Sequence, residues 1–305
     1  MRIVFLGTPD FAVATLDILV QNGYDVAGVV TAPDKPAGRG MQLTMSAVKQ
    51  YAVSKGLTVL QPTNLKNPEF LEALKALKAD LQVVVAFRML PEAVWNMPPL
   101  GTINVHASLL PQYRGAAPIN WAVINGETQS GVTTFRLKHV IDTGNILLQD
   151  KTEITPDMTA GELHDILMQK GARLLLKTVQ QQEAGILQEL PQDHLDETAL
   201  KHAPKLHTET CIIHFDRPAA AVHNMIRGLS PYPTAFTTLQ DKKLKIFRSE
   251  PVTASHNLAP GTVETDHKTY LRFATPDGYI NVLELQLEGK KRMHTEDFLR
   301  GWKMK

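Results

Sequence analysis

The sequence predicts an α/β domain with a doubly wound, mostly parallel sheet, followed by a small β-barrel domain. Apolar strands alternate with amphipathic helices from residue 1 to residue 182, and short strands separated by turn residues follow from residue 211 to residue 285. The chain has 305 residues, about twice the length of a typical domain, so two domains fit.

The chain opens with a βαβ pattern. Residues 2–6 are typical of a buried strand, and Thr8 followed by Pro9 predicts a helix start with Thr8 as the N-cap. Strands that are apolar throughout are covered on both faces, as in parallel sheets. Further strands are predicted at 26–30, 59–60, 81–87, 102–105 and 132–137, and helices at 48–55, 68–78 and 159–182.

The second half of the chain has a different pattern of predicted secondary structure. Helical periodicity ends at residue 184, and prolines interrupt the segment 185–208, which predicts a linker between a first domain at 1–184 and a second at 209–305. We expect the second domain to be a barrel, because closing a sheet removes its exposed edges. Its predicted elements are strands at 211–215, 235–239, 244–247, 261–264, 269–273 and 278–285, with a helix at 219–226.

Composition excludes several classes of protein. With 43% hydrophobic and 21% charged residues, the chain can bury a core and is not intrinsically disordered. The formal net charge of +1 means that any polyanion must be bound locally, and residues 201–305 carry a surplus of basic side chains. Cys211 is the single cysteine, and no apolar run is long enough to span a bilayer, so we expect a cytoplasmic protein that does not bind membranes.

The opening βαβ unit lacks the residues of a nucleotide site. Residues 7–11 (Gly-Thr-Pro-Asp-Phe) do not provide the glycines of the dinucleotide-binding fingerprint, and no phosphate-binding P-loop occurs. A Rossmann-like sheet without its fingerprint therefore gives no indication of NAD binding.

Asn104 and His106 form the most informative pair in the sequence. Positions i and i+2 of a strand share a face, so an amide and an imidazole stand together at the carboxyl end of a predicted strand, where open α/β sheets bind ligands. The amide can stabilise an oxyanion, and the imidazole can carry a proton near neutral pH. The alternative is a histidine that only bonds to backbone.

Two loops could complete such a site. Residues 107–118 are rich in proline, glycine and small side chains, and the turn Asp142-Thr143-Gly144 supplies a carboxylate. An aspartic protease would need two such carboxylates and an all-β fold, and neither is indicated. The loop 33–41 contains too many helix and strand breakers for regular structure, and its cations could contact phosphates or simply solvent.

Taken together, Asn104-x-His106-x-Ser108-Leu109-Leu110-Pro111, the loop that follows it and Asp142-Thr143-Gly144 resemble the folate-dependent formyltransferases. Additional segments are similar to the methionyl-tRNA formyltransferase family, and the resemblance runs from residue 1 to about residue 301. Those segments are 6–9, 33–40, 83–87, 231–233 and 288–293.

The resemblance implies an enzyme that transfers the formyl group of 10-formyltetrahydrofolate to methionyl initiator tRNA without a metal. We expect this enzyme to be a monomer. The resemblance also implies catalytic roles for Asn104, His106 and Asp142, and an OB-like second domain that contacts tRNA. The implied folate-binding residues are Phe87, Arg88, Met89, Leu90, Ser108, Leu109, Leu110 and Pro111. The implied tRNA-binding residues are Lys35, Arg39, Lys290, Lys291 and Arg292.

Two other functions remain open at this point. A sibling formyltransferase that acts on a sugar nucleotide or on glycinamide ribonucleotide would share the same catalytic residues. The basic loop 33–41 and the basic second domain favour tRNA over such small acceptors. A folate-binding or RNA-binding protein without activity would have lost part of the catalytic set, yet Asn104, His106 and Asp142 are all present.

Overall fold

The computed structural model describes residues 1–37, 42–192 and 197–302. The chain divides into two compact units, each built from three separate segments. The first unit comprises Met1–Arg114, Gly131–Thr152 and His164–Lys201. The second unit comprises Gly115–Ser130, Glu153–Leu163 and His202–Lys305.

Strands and helices are numbered here in chain order. The strands within the described residues are β1 (Arg2–Gly7), β2 (Asp25–Val30), β3 (Lys35–Ala37), β4 (Gln42–Thr44), β5 (Val59–Leu60), β6 (Leu81–Val85), β7 (Thr102–His106), β8 (Arg114–Gly115), β9 (Gln129–Arg136), β10 (Ile146–Glu153), β11 (His202–Ala203), β12 (Ala235–Leu239), β13 (Lys242–Thr253), β14 (Val263–Thr265), β15 (Leu271–Thr275), β16 (Gly278–Leu287) and β17 (Met293–His294). The helices are α1 (Asp10–Gln21), α2 (Ala47–Ser54), α3 (Pro68–Ala76), α4 (Glu92–Trp95), α5 (Pro118–Ile124), α6 (Ala160–Glu183), α7 (Ala219–Gly228) and α8 (Thr295–Arg300), with short 3₁₀ turns at Glu197–Ala199 and Glu209–Cys211.

A seven-stranded sheet forms the centre of the first unit, in the order β10-β9-β7-β6-β1-β2-β5. Strand β1 pairs in parallel with β2 and β6, and β6 pairs in parallel with β7, whereas β9 runs antiparallel to β7. Every residue of β6 is buried, including Gln82, and the other four are apolar as a strand covered on both faces requires. The predicted doubly wound, mostly parallel sheet is confirmed.

The connections leave β1 and β6 in opposite directions along this sheet. Strands β2 and β5 follow on one side of β1, and β7 follows on the far side of β6. Such a reversal opens a crevice at the carboxyl ends of the two strands, where α/β folds bind ligands. Gly7 and Val85, which end β1 and β6, lie opposite each other there.

Two local predictions near this edge were wrong. Helix α1 begins at Asp10, because Pro9 is extended (ψ 175°) and itself takes the N-cap position predicted for Thr8. Part of the loop 33–41 is regular: β3 and β4 form a short hairpin that places Pro36 opposite Leu43. A two-stranded ribbon accepts proline because its outer edge needs no hydrogen-bond donor.

The second unit contains an antiparallel sheet in the order β12-β13-β16-β15-β14, with β17 paired to β16. Helices α7 and α8 pack on this sheet, and Ile226, Phe273 and Phe298 lie in their shared core. The predicted small barrel domain is confirmed. The strand predicted at 211–215 is wrong, because the 3₁₀ turn ends at Cys211 and only an isolated bridge joins Ile212 to β12.

None of the helices in the described ranges is long and apolar enough to cross a membrane.

Candidate active site at the carboxyl end of β7

Strand β7 presents Asn104 and His106 on the same face of the sheet. It lies between β6 and β9, with Asn104 opposite Val84 on one side and Phe135 on the other. Asn104 is half-buried, and its amide has no hydrogen-bond partner among the described residues, so it is available to a ligand. His106 ends the strand and is only 7% exposed.

Both ring nitrogens of His106 face acceptors. Nε2 lies 2.9 Å from the backbone oxygen of Tyr113, and Nδ1 lies 3.8 Å from Oδ2 of Asp142. Because a carbonyl oxygen can only accept, Nε2 carries a hydrogen and donates it to Tyr113. The nitrogen that remains for proton exchange is therefore Nδ1, beside the carboxylate. The imidazole and the Phe135 ring also pack in a T-shaped arrangement, at a centroid distance of 6.4 Å.

Asp142 is held in an uncommon backbone conformation. Its φ of 56° lies in the left-handed region, and its side chain is only 10% exposed beside His106. The Asp142 loop, residues 138–145, is fixed against the end of β9. A Cβ on Gly144 would lie 1.5 Å from the backbone oxygen of Arg136, so this position requires glycine. Thr143 closes the loop by donating Oγ1–H to the oxygen of Val140.

Left-handed backbone recurs around this site. Ala86, at the end of β6, has a φ of 48°, and Tyr113, which binds His106, has a φ of 61°. Non-glycine residues in this region cost roughly 1–3 kcal/mol each and persist only where their surroundings fix them. The contacts around Ala86, Tyr113 and Asp142 must therefore offset this strain at the sheet edge.

The segment 87–90 borders a cavity of about 400 Å³ at the carboxyl ends of β1, β2 and β6. Phe87 and Arg88 line this cavity, together with Thr8 and Lys35. The guanidinium of Arg88 lies over the Phe87 ring and donates to the backbone oxygens of Pro62 and Thr63. Of the other residues in this segment, Leu90 is buried and Met89 is exposed.

The segment 108–111 is built into the protein interior. The Oγ of Ser108 donates to the oxygen of Gln112, and the backbone N–H of Leu110 donates to Oγ1 of Thr133. The side chain of Leu110 packs against Phe135 and Ile146. Because the side chains of Ser108 and Leu110 are buried, mainly the backbone groups of this segment and the half-buried Leu109 and Pro111 can face a ligand.

The cations implied to bind tRNA differ in their surroundings. Arg39 lies outside the described residues. In the second unit, Arg292 forms two hydrogen bonds with Glu284, of 2.6 and 2.7 Å, and stacks over Phe247. These bonds hold the pKa of the Glu284 carboxyl below its usual range, so the charge of Arg292 is largely balanced. Lys290 lies over the ring of Phe298, and Lys291 is exposed.

Comparison with known proteins shows the family of the chain. A formyl transferase family model matches residues 1–179, and a model of the formyl transferase C-terminal domain matches residues 205–303. Methionyl-tRNA formyltransferase of Bacteroides fragilis is 54% identical over 308 residues, covering 99% of this chain and 95% of that protein. The methionyl-tRNA formyltransferase of Parabacteroides distasonis is 55% identical, covering 99% of this chain and 96% of that protein. The chain belongs to the methionyl-tRNA formyltransferase family.

The fold is shared with solved structures of lower sequence identity. The crystal structure of an N-formyltransferase from Helicobacter canadensis, in complex with folinic acid and dTDP-3-aminofucose, superposes with a TM-score of 0.69. It covers 92% of this chain and 98% of that one, at 21% identity. Another similar structure is HypX from Aquifex aeolicus in complex with tetrahydrofolic acid, with a TM-score of 0.64 and 17% identity, covering 98% of this chain and 47% of that one.

Sequence reasoning missed the groups that hold the candidate catalytic side chains. The backbone oxygen of Tyr113 fixes the His106 ring, and Gln192 donates to the Asp142 loop. A backbone acceptor carries no sequence signal, and Gln192 lies in a segment without periodicity. Gly144 could have been suspected, because a glycine directly after a loop carboxylate often marks a close approach of two backbones.

Proposed function

We propose that this chain transfers the formyl group of 10-formyltetrahydrofolate to the α-amino group of methionyl initiator tRNA, giving N-formylmethionyl-tRNA for translation initiation. The observation that carries the proposal is similarity above 50% identity, across both domains, to methionyl-tRNA formyltransferases. The His106–Asp142 pair supports only formyl transfer from the donor, whereas the full-length similarity supports methionyl initiator tRNA as the acceptor.

In the proposed reaction the neutral α-amine attacks the formyl carbon, and a C–N bond forms as the carbonyl electrons move to oxygen. The amide of Asn104 donates a hydrogen bond to this oxyanion, and protonated Nδ1 of His106 adds positive charge beside it. Asp142 stabilises that charge from 3.8 Å.

Collapse of the tetrahedral intermediate breaks the bond from the formyl carbon to N10 of tetrahydrofolate. N10 leaves with the electron pair and takes a proton, which Nδ1 of His106 supplies directly or through one water. The former amine gives up its extra proton, and the histidine is thereby restored. Nε2–H stays bound to the Tyr113 carbonyl throughout, so the ring keeps its orientation.

We assign the folate to the segments 87–90 and 108–111. Phe87 and Arg88 line a cavity whose volume, about 400 Å³, lies within the range of small-molecule sites. Because Ser108 and Leu110 point into the interior, we propose that the 108–111 segment binds the donor mainly through backbone groups.

We assign the acceptor arm of tRNA to Lys35 and Arg39, and further phosphates to Lys290, Lys291 and Arg292. Lys35 lies on β3 and lines the same cavity as Phe87 and Arg88, which supports a position beside the donor, where the acceptor must arrive. As a division of function, we further propose a formyltransferase domain at 1–184, a linker at 185–208 and an OB-like tRNA-binding domain at 209–305. The compact units of the fold differ from it, because residues 115–130 and 153–163 belong to the second unit. The family models, which match 1–179 and 205–303, support this division.

We also propose that the enzyme is a cytoplasmic monomer. The three catalytic side chains come from one chain and lie in one compact unit, which supports activity without a second copy. A cytoplasmic location follows from the substrates, since initiator tRNA is charged and used there.

The test is formyl transfer by the purified protein from 10-formyltetrahydrofolate. Parallel reactions contain methionyl initiator tRNA, the same tRNA uncharged, a sugar nucleotide with a free amine, and glycinamide ribonucleotide. We expect transfer to the charged tRNA alone. Transfer to a small acceptor, with none to the charged tRNA, would overturn the acceptor and the assignment of the basic residues while leaving the donor chemistry in place.

A further inference from the structure

The segment that follows α6 runs along the Asp142 loop. Leu190 and Ile146 exchange two backbone hydrogen bonds, both of 2.8 Å, at the start of β10. Glu189 accepts hydrogen bonds from Nε of Arg136 and from Nδ2 of Asn145, at 2.9 and 2.8 Å. Residues 189–192 therefore form a brace across the outer side of the loop, although the sequence predicted only a linker there.

Gln192 is the residue of this brace that reaches the catalytic carboxylate. It is only 8% exposed, and its Nε2 donates to the backbone oxygens of both Asp142 and Gly144, at 3.1 and 2.6 Å. Its Oε1 accepts a hydrogen bond of 3.0 Å from Nη2 of Arg114. Both hydrogens and the oxygen of one amide are thus engaged with neighbouring groups.

We infer that Gln192 is a positioning residue for formyl transfer, and the inference rests on the proposed role of Asp142. The φ of 56° at Asp142 is strained, and the same backbone angles set the direction of its carboxylate. By holding the carbonyl groups of residues 142 and 144, Gln192 keeps the carboxylate turned toward Nδ1 of His106.

The other contact of Gln192 extends its effect to the second nitrogen of the histidine. Arg114 directly follows Tyr113, whose carbonyl oxygen binds Nε2 of His106. One buried amide therefore connects the loop that faces Nδ1 with the loop that faces Nε2. A displacement of about 1 Å between reacting groups can cost about 10²-fold in rate, so a link of this kind matters for kcat.

The informative substitution is Gln192→Glu. Glutamate keeps the volume of glutamine, and one of its oxygens can still accept from Arg114. Its other oxygen replaces the Nε2 donor and cannot bind the carbonyl oxygens of Asp142 and Gly144, so the loop is released. We expect kcat to fall by about 10- to 100-fold, with the KM values for the folate and for the charged tRNA changed by less than about threefold. Gln192→Leu, which also loses the Arg114 contact, is expected to be at least as slow.

Gln188 provides the matched control. It lies in the same segment and is exposed, so Gln188→Glu adds the same charge without touching the Asp142 loop and is expected to keep the wild-type kcat. Near-ultraviolet circular dichroism at the assay temperature verifies that each variant is folded.

A double substitution separates positioning from general stability. If Gln192 acts through Asp142, then Gln192→Glu combined with Asp142→Asn is about as slow as Asp142→Asn alone, measured in single turnovers with enzyme in excess. Additive losses would overturn the inference, as would a wild-type kcat in folded Gln192→Glu. Absence of formyl transfer by the wild-type enzyme would instead overturn the proposed function, so the two failures are distinguishable.

Discussion

Replacing Asn104 should separate activity from stability. We expect Asn104→Ala to lower kcat by about 10²- to 10³-fold, because removing one oxyanion donor costs about 2.7–4 kcal/mol of transition-state stabilisation. The fold should hardly change, since the half-buried amide has no hydrogen-bond partner among the described residues. We expect the free energy of unfolding to fall by no more than about 1 kcal/mol, which corresponds to a Tm shift of at most about 2–4 °C. Steady-state formylation and thermal unfolding provide the two readouts.

Asn67→Ala is the matched control, because it makes the same chemical change but is expected to affect stability and leave kcat unchanged. The Asn67 side chain caps α3 by accepting from the N–H of Glu69 at 2.9 Å. Loss of such a cap costs about 1 kcal/mol of stability, and kcat should stay at the wild-type value. If Asn104→Ala retains kcat within about threefold of wild type, the oxyanion role of Asn104 is refuted.

Three further predictions concern other parts of the molecule. Gly144→Ala should reduce kcat by more than about 100-fold and lower the Tm, because its Cβ would meet the backbone of Arg136, whereas Gly301→Ala, with open space around it, should change neither. Burial lowers the pKa of His223 in the folded protein, so the stability that its neutral form contributes is fully present above the unfolded pKa of about 6.5 and is lost as the pH falls below it. The Tm difference between wild type and His223→Gln should therefore shrink as pH falls from 7.5 to 5. A constant difference would contradict this. Lys291→Ala should raise the KM for tRNA and reduce its salt dependence by about one released counterion, and an unchanged salt slope would remove Lys291 from the tRNA contact.

The parts of the site that follow from local periodicity were predictable from sequence. Asn104 and His106 share a face because they are two residues apart on a strand, and the apolar runs around them determine where that strand lies. Asp142 could be connected with them only through resemblance, since a turn 36 residues later has no local signal for its position. The 3.8 Å separation from His106 arises when β7, β9 and β10 assemble.

Other features escaped prediction because a distant partner determines them. Gln192 follows a proline in a segment without periodicity, and its role depends on two backbone oxygens about 50 residues away. The resemblance implied that Arg292 is one of several tRNA-binding cations, whereas Glu284 on the neighbouring strand binds it with both carboxylate oxygens. In each case the sequence shows which chemical group is present, but the pairing requires the assembled fold.

The interleaved make-up of the second unit limits how the chain can be divided and how it can be synthesised. Arg227 on α7 is buried, and its guanidinium donates to the backbone oxygens of Thr155 and Met158, while Asn120 on α5 donates to the oxygen of Gly228. A fragment that begins at residue 202 would lack both the backbone oxygens that bind this guanidinium and the helix α5 that packs on α7. During translation, residues 115–130 and 153–163 leave the ribosome well before the antiparallel sheet of the second unit is synthesised. Until that sheet forms, their apolar side chains are not covered by it. Cutting this chain near residue 202 therefore yields an incomplete second unit. The second unit can fold only late in synthesis, and its folding depends on segments that are made early.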